Sequence, residues 1–179
     1  KEGETIITAK IGDKSCTARV TVKNIVPVPA NYCVPEASFK RYAIISEIVL
    51  NDTKLEGRDD GFYSDLTDKI INITSSESKL TVEVDQAETT TNDKFILVAY
   101  IDWNGDGDFK DVNEEIFMEN WDANGKKKFE AKISVPKDAK TSSRVRIAFY
   151  FDGGNTDMTH GCGTMDSGDV KDFMYNITF

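Results

Sequence analysis

At 179 residues, 39% of them hydrophobic, the chain is long enough for one full domain with a core of its own. Its formal charge of -9 argues against nucleic-acid binding, which needs clustered Lys and Arg to displace phosphate counterions. No apolar run approaches the ~20 residues that span a bilayer, while an acidic excess suits a solvated surface and, where oxygens cluster, a hard cation.

The chain opens on a hairpin pattern. Thr5, Ile7, Ala9 and Ile11 share one face, the turn Gly12-Asp13-Lys14-Ser15 follows, and Cys16, Ala18, Val20 and Val22 share a face again. A lone hairpin is marginal in water, so residues 1–24 are expected either to dock on another part of the protein or to belong to another unit. Pro27 and Pro29 make residues 25–31 an extended linker. Residues 32–179 then read as strand after strand. Tyr42, Ile44, Ile48 and Leu50 recur with period two, as do Leu80, Val82 and Val84. Phe95 to Ile101 is apolar on both faces and reads as a central strand. Phe129, Ala131, Ile133 and Val135 alternate up to Pro136; Val145, Ile147, Phe149 and Phe151 alternate next; Phe173, Tyr175, Ile177 and Phe179 alternate to the end. No window carries a helical period, and the expected fold is an all-β, antiparallel, jelly-roll-like β-sandwich preceded by the hairpin.

The strongest chemical signal follows the central strand. Side-chain oxygens recur at Asp102, Asn104, Asp106 and Asp108, and Gly107 permits the twist that would curl them around one ion. The spacing resembles the first half of an EF-hand loop, with Glu114 placed to close a calcium site and no helices predicted beside it. The competing reading is an ion-free turn built on Asn-Gly and Asp-Gly, in which the crowded carboxylates would repel.

The remaining signals are weaker. The chain's one histidine, His160, lacks an orienting partner, and neither G-x-S-x-G nor HExxH occurs, so no enzyme is expected. Asp59-Asp60 is the kind of carboxylate pair any acidic chain offers. Trp103, Trp121 and Tyr63 are expected to pack in the core or anchor loops; the competing reading, a sugar-stacking platform, makes a carbohydrate-binding module the alternative function. Of Cys16, Cys33 and Cys162, none forms a zinc spacing. A bridge from Cys33 to Cys162 would close a loop of more than a hundred residues and suits an oxidising compartment.

Four segments together resemble the GEVED domain of secreted bacterial proteins. They are Tyr32-Cys33, the stretch Gly61-Phe62-Tyr63-Ser64-Asp65-Leu66-Thr67, the stretch from Ile101 to Phe109, and Gly168-Asp169-Val170-Lys171-Asp172-Phe173. In the last, Asp169, Lys171 and Phe173 stand where the family motif has Glu, Glu and Tyr; Lys171 counts against a wholly acidic site, while Asp169 and Asp172 remain candidates to assist a cation or cap a loop. The segment from Gly3 through Val22 resembles the closing strands of a bacterial Ig-like domain, which would make Cys16 a buried free thiol. The two resemblances imply a module of a larger secreted or cell-surface protein, often from Bacteroidetes; the oxygen spacing of the loop and the lack of catalytic motifs make the expected module calcium-stabilised and non-catalytic. It would serve adhesion or substrate attachment to a protein or glycan partner.

Overall fold

The computed structural model describes residues 3–22, 32–39, 43–55, 61–86, 93–122 and 125–179. Within them are strands and loops and no helix. The expected linker at 25–31, Tyr42 and the Asp59-Asp60 pair lie outside the described residues.

Strands β1 (Gly3–Ile11) and β2 (Lys14–Val22) form the expected hairpin, with Ile7 opposite Ala18 and Ala9 opposite Cys16. Ile6 and Ile7 are 63% and 58% exposed. Cys16 is a free thiol but an exposed one, which corrects the expectation that it is buried. The reason is geometric: strands that pair edge to edge cover neither of each other's faces, and an apolar face is buried only by a second layer.

Among the described residues the sandwich has eleven further strands: β3 (Glu36–Phe39), β4 (Ile44–Leu50), β5 (Thr53–Lys54), β6 (Tyr63–Ile73), β7 (Glu77–Gln86), β8 (Phe95–Ile101), β9 (Glu115–Trp121), β10 (Gly125–Ser134), β11 (Ser142–Phe151), β12 (Asp157–Thr159) and β13 (Cys162–Ile177). One sheet has the order β10-β7-β4-β5. The other runs β12-β13-β11-β8-β9, with β3 and β6 also paired to β13. The ladders are antiparallel except β13–β3 and β13–β6, which are parallel.

The central-strand reading of Phe95–Ile101 holds, since β8 lies between β11 and β9. Phe95, Leu97, Ala99 and Ile101 enter the core shared with Ile48, Val82 and Phe129 of the opposite sheet. Val98 and Tyr100 enter a second core with Tyr32, Phe109 and Val170. Burying side chains of this size contributes about 1.5–3 kcal/mol each, which makes the two cores the main stabilising term. The period in β4 is broken by a bulge between Ile45 and Glu47, so Ile45 rather than Ile44 joins Ile48 and Leu50 inside. β13 ends at Ile177 and Phe179 is exposed, which shortens the final strand relative to its sequence pattern.

Candidate functional site

Residues 102–114 connect the two neighbouring strands β8 and β9, so both ends of the acidic loop are fixed by the ladder. At its start, Asp102 is fully buried and spends its oxygens on the protein itself. Oδ1 accepts the Gly105 N–H at 2.5 Å, and Oδ2 accepts the Gly107 N–H at 3.2 Å. Oδ2 also accepts the Tyr32 hydroxyl, which shares a 3.1 Å hydrogen bond with Ser143 Oγ. At the end of the loop, Glu114 is buried as well. Its Oε1 accepts the Trp103 N–H at 3.0 Å and its Oε2 the Asp111 N–H at 3.3 Å. Burial pushes the Glu114 carboxyl up to about 7; the charge of Asp102 adds to this, and the amide donors of the loop pull against it.

Between these anchors the chain makes successive Asx turns. Asn104 Oδ1 accepts the Asp106 N–H at 2.8 Å, Asp106 Oδ1 the Asp108 N–H at 3.1 Å, and Asp108 Oδ1 the Lys110 N–H at 2.9 Å. Oxygens of Asp106, Asp108 and Asp111 come within 4.8 Å of one another on the outside of the loop. Asn104 turns its amide nitrogen to Asp106 Oδ2 at 3.0 Å and to Asp111 Oδ2 at 2.6 Å. Lys110 Nζ lies 2.9 Å from Asp108 Oδ2 and helps hold that carboxyl below its usual range.

The five residues expected as ligands are therefore divided. Asp106 and Asp108 converge, Asn104 bridges, and Asp102 and Glu114 face inward as loop anchors. Asp111 joins the cluster although the reading by alternate positions passed over it; its carboxylate within the same short loop was the available signal. Three carboxylates with an amide neighbour are hard oxygen donors of the kind calcium or magnesium takes. Calcium's six to eight oxygens would need loop carbonyls and water in addition to the carboxylates. A shallow cleft of about 310 Å³ opens beside the loop between Trp103, Asp111, Val112, Pro136 and Asp138.

Beneath the loop lies a buried ionic network that the sequence did not reveal. Arg146 of β11 is completely buried and grips Asp172 of β13 in a fork, Nε to Oδ1 at 2.7 Å and Nη2 to Oδ2 at 2.6 Å. Its other donors reach the Gly161 carbonyl at 2.7 Å and the Cys33 carbonyl at 2.8 Å. Burial pulls the Arg146 pKa down, but Asp172 outweighs it and the net shift is upward. Tyr63 donates to Asp172 Oδ2 at 3.0 Å, and the Arg146 guanidinium lies 5.1 Å from the centre of the Phe109 ring. Cys33 and Cys162 are joined in the expected disulfide. The four segments singled out in the sequence thus meet in one place.

Asp172 serves as the counter-ion of Arg146, and Asp169 accepts the Ile45 N–H at 2.8 Å and lies 3.3 Å from Lys171 Nζ. Neither belongs to the acidic cluster of the loop. Gly168 is required by close approach: a Cβ there would lie 3.1 Å from the Phe149 carbonyl and 2.2 Å from Met165 Sδ. Trp103 and Trp121 are 5% and 6% exposed, packed in the core against Tyr175 and Phe149. The two tryptophans therefore make no open stacking platform with Tyr63. His160 is exposed in the turn between β12 and β13.

Two packed β-sheets carrying an acidic loop on the central strand define a β-sandwich module. The family model of the GEVED domain matches residues 96–176, and over that stretch the chain is similar to a GEVED domain. The match runs from β8 through the loop to β13 and takes in the Gly168–Phe173 motif. No curated protein matches the chain. Among solved structures, the N-terminal domain of PorA is similar at 9% identity over 72% of this chain and 96% of that one, with a TM-score of 0.26.

Proposed function

We propose that this chain is a non-catalytic accessory module of a secreted or cell-surface bacterial protein, stabilised by calcium on the 102–114 loop and serving adhesion or substrate attachment. The observation that carries the calcium reading is the convergence of Asp106, Asp108 and Asp111 within 4.8 Å on a loop whose two ends are tied down. Three carboxylates with one nearby lysine repel one another, and a divalent cation relieves that repulsion. The GEVED match supports the accessory role, and the Cys33–Cys162 bridge fits an oxidising compartment outside the cytosol. Under this reading residues 1–24 close a neighbouring Ig-like unit and residues 25–31 link it to the sandwich. The open face of the β1–β2 hairpin supports that division.

Thermal unfolding with calcium and with a chelator tests the proposal. A ligand that binds only the folded state at a hundred times its Kd adds about 2.7 kcal/mol, which raises Tm by several degrees in a domain of this size. Asp106→Asn and Asp111→Asn should each abolish most of that rise. A melting temperature indifferent to millimolar calcium removes calcium from the account and leaves the accessory role standing on the family match.

A further inference from the structure

We infer that the Cys33–Cys162 disulfide sets the order of the acidic loop through Tyr32, which is a positioning residue for Asp102. Residues 32–35 precede β3 and lie in no strand, so no ladder holds them. They are fixed instead by the disulfide, by the Cys33 carbonyl on Arg146 Nη2 at 2.8 Å, and by the Tyr32 ring. That ring lies under the Arg144 guanidinium at 4.1 Å and against Phe109 at 5.3 Å. From this seat the Tyr32 hydroxyl donates to Asp102 Oδ2, and Asp102 in turn holds the Gly105 and Gly107 amides. The path from covalent bond to loop is thus Cys33, Tyr32, Asp102 and the two glycines.

Both cysteines are only partly buried, so a dithiol can reach them. Dithiothreitol supplies two electrons and two protons, closes to its own cyclic disulfide, and leaves Cys33 and Cys162 as thiols. The 32–35 stretch then keeps noncovalent contacts alone. Its opening becomes easier, and each opening withdraws the Tyr32 hydroxyl from Asp102. The clamp is a property of the protein whether or not a cation binds.

Hydrogen exchange of the whole chain in calcium-free buffer tests this at the Gly105 and Gly107 amides, in pulses short enough that β8 and β11 amides stay protected. Reduction should speed exchange at the two glycines about tenfold or more. Tyr32→Phe, which keeps the ring and the disulfide, should do the same, and reduction of that variant should add little, because both act on one path. The Cys33→Ser, Cys162→Ser double variant should reproduce the effect without reductant. Unchanged exchange at the two glycines overturns the inference, as does opening of β8 and β11 in the same pulse, which would make the effect global. Calcium titration of the oxidised and reduced protein separates this from the proposed function. Weaker uptake after reduction supports both, whereas an oxidised protein that takes up no calcium defeats only the calcium reading.

Discussion

Arg146 is the residue on which the interior chemistry turns. Its guanidinium is shared among Asp172, the Gly161 carbonyl and the Cys33 carbonyl, with no exposure to water. Without Arg146 the buried Asp172 keeps only Arg144 as a cation, 3.2 Å away, and losing the main partner of a buried ion pair costs about 3–5 kcal/mol. Arg146→Leu should therefore lose that much stability in urea unfolding. Arg146→Lys should lose nearly as much, since an ammonium cannot reproduce the fork. Arg146→Leu combined with Asp172→Leu should recover part of the loss, less than for an isolated pair because Arg144 and Tyr63 also lose their carboxylate. A single-variant loss below about 1 kcal/mol would show that the pair is not the keystone the geometry makes it. Alternation at Val145, Ile147 and Phe149 placed Arg146 on the opposite face of its strand, where a charge reads as solvated. The sequence pattern has no term for the second layer, residues 32–39 and the loop, that covers that face. Asp172 was legible as a notable residue through the motif, but its partner was not.

At the scale of the element, β13 decides the architecture. It pairs antiparallel with β11 and β12 and parallel with β3 and β6. Its start depends on Gly163, which holds φ at 120° with the Asp157 carbonyl 2.0 Å from where a Cβ would sit. Gly163→Ala meets both backbone strain and a backbone clash, so a loss of about 2–4 kcal/mol is expected by urea unfolding, with β12 amides losing protection first. A variant as stable as the parent would mean that the β12–β13 turn relaxes freely. Of the strands that bury apolar faces, β7, β10 and β11 were legible from their alternation and β8 from its continuous apolar run. β6 was not, because Thr67-Asp68-Lys69 lies in a stretch where its register against β13 shifts, and that breaks the period two. The acidic loop was legible as an oxygen cluster. Its division into inward anchors and outward carboxylates was not, because spacing along the chain does not say which oxygens the loop's own amides will claim.

For the molecule as a whole, the disulfide joins positions 129 residues apart. Chain-entropy reasoning gives such a bridge roughly 5 kcal/mol against the unfolded state. The Cys33→Ser, Cys162→Ser variant should lose stability of that order in denaturant, and a loss under about 1 kcal/mol would show that the reduced unfolded chain is already confined. The outer face of the four-stranded sheet carries cross-strand pairs such as Lys79–Glu130 at 2.6 Å and Lys132–Glu77 at 2.7 Å. Exposed pairs contribute little each, so added salt should move the midpoint far less than loss of the disulfide does.

The place of β13 in the sheet also bears on how the chain comes to be folded. The sandwich's last strand is the one that its early strands β3 and β6 require as a neighbour. A polypeptide still being made carries those segments long before their partner exists. Pairings so distant along the chain put it among slow folders, on the millisecond-to-second scale or beyond. A copy truncated ahead of Cys162 would leave the ladder groups of both segments bare, an invitation for other chains to supply the absent ribbon.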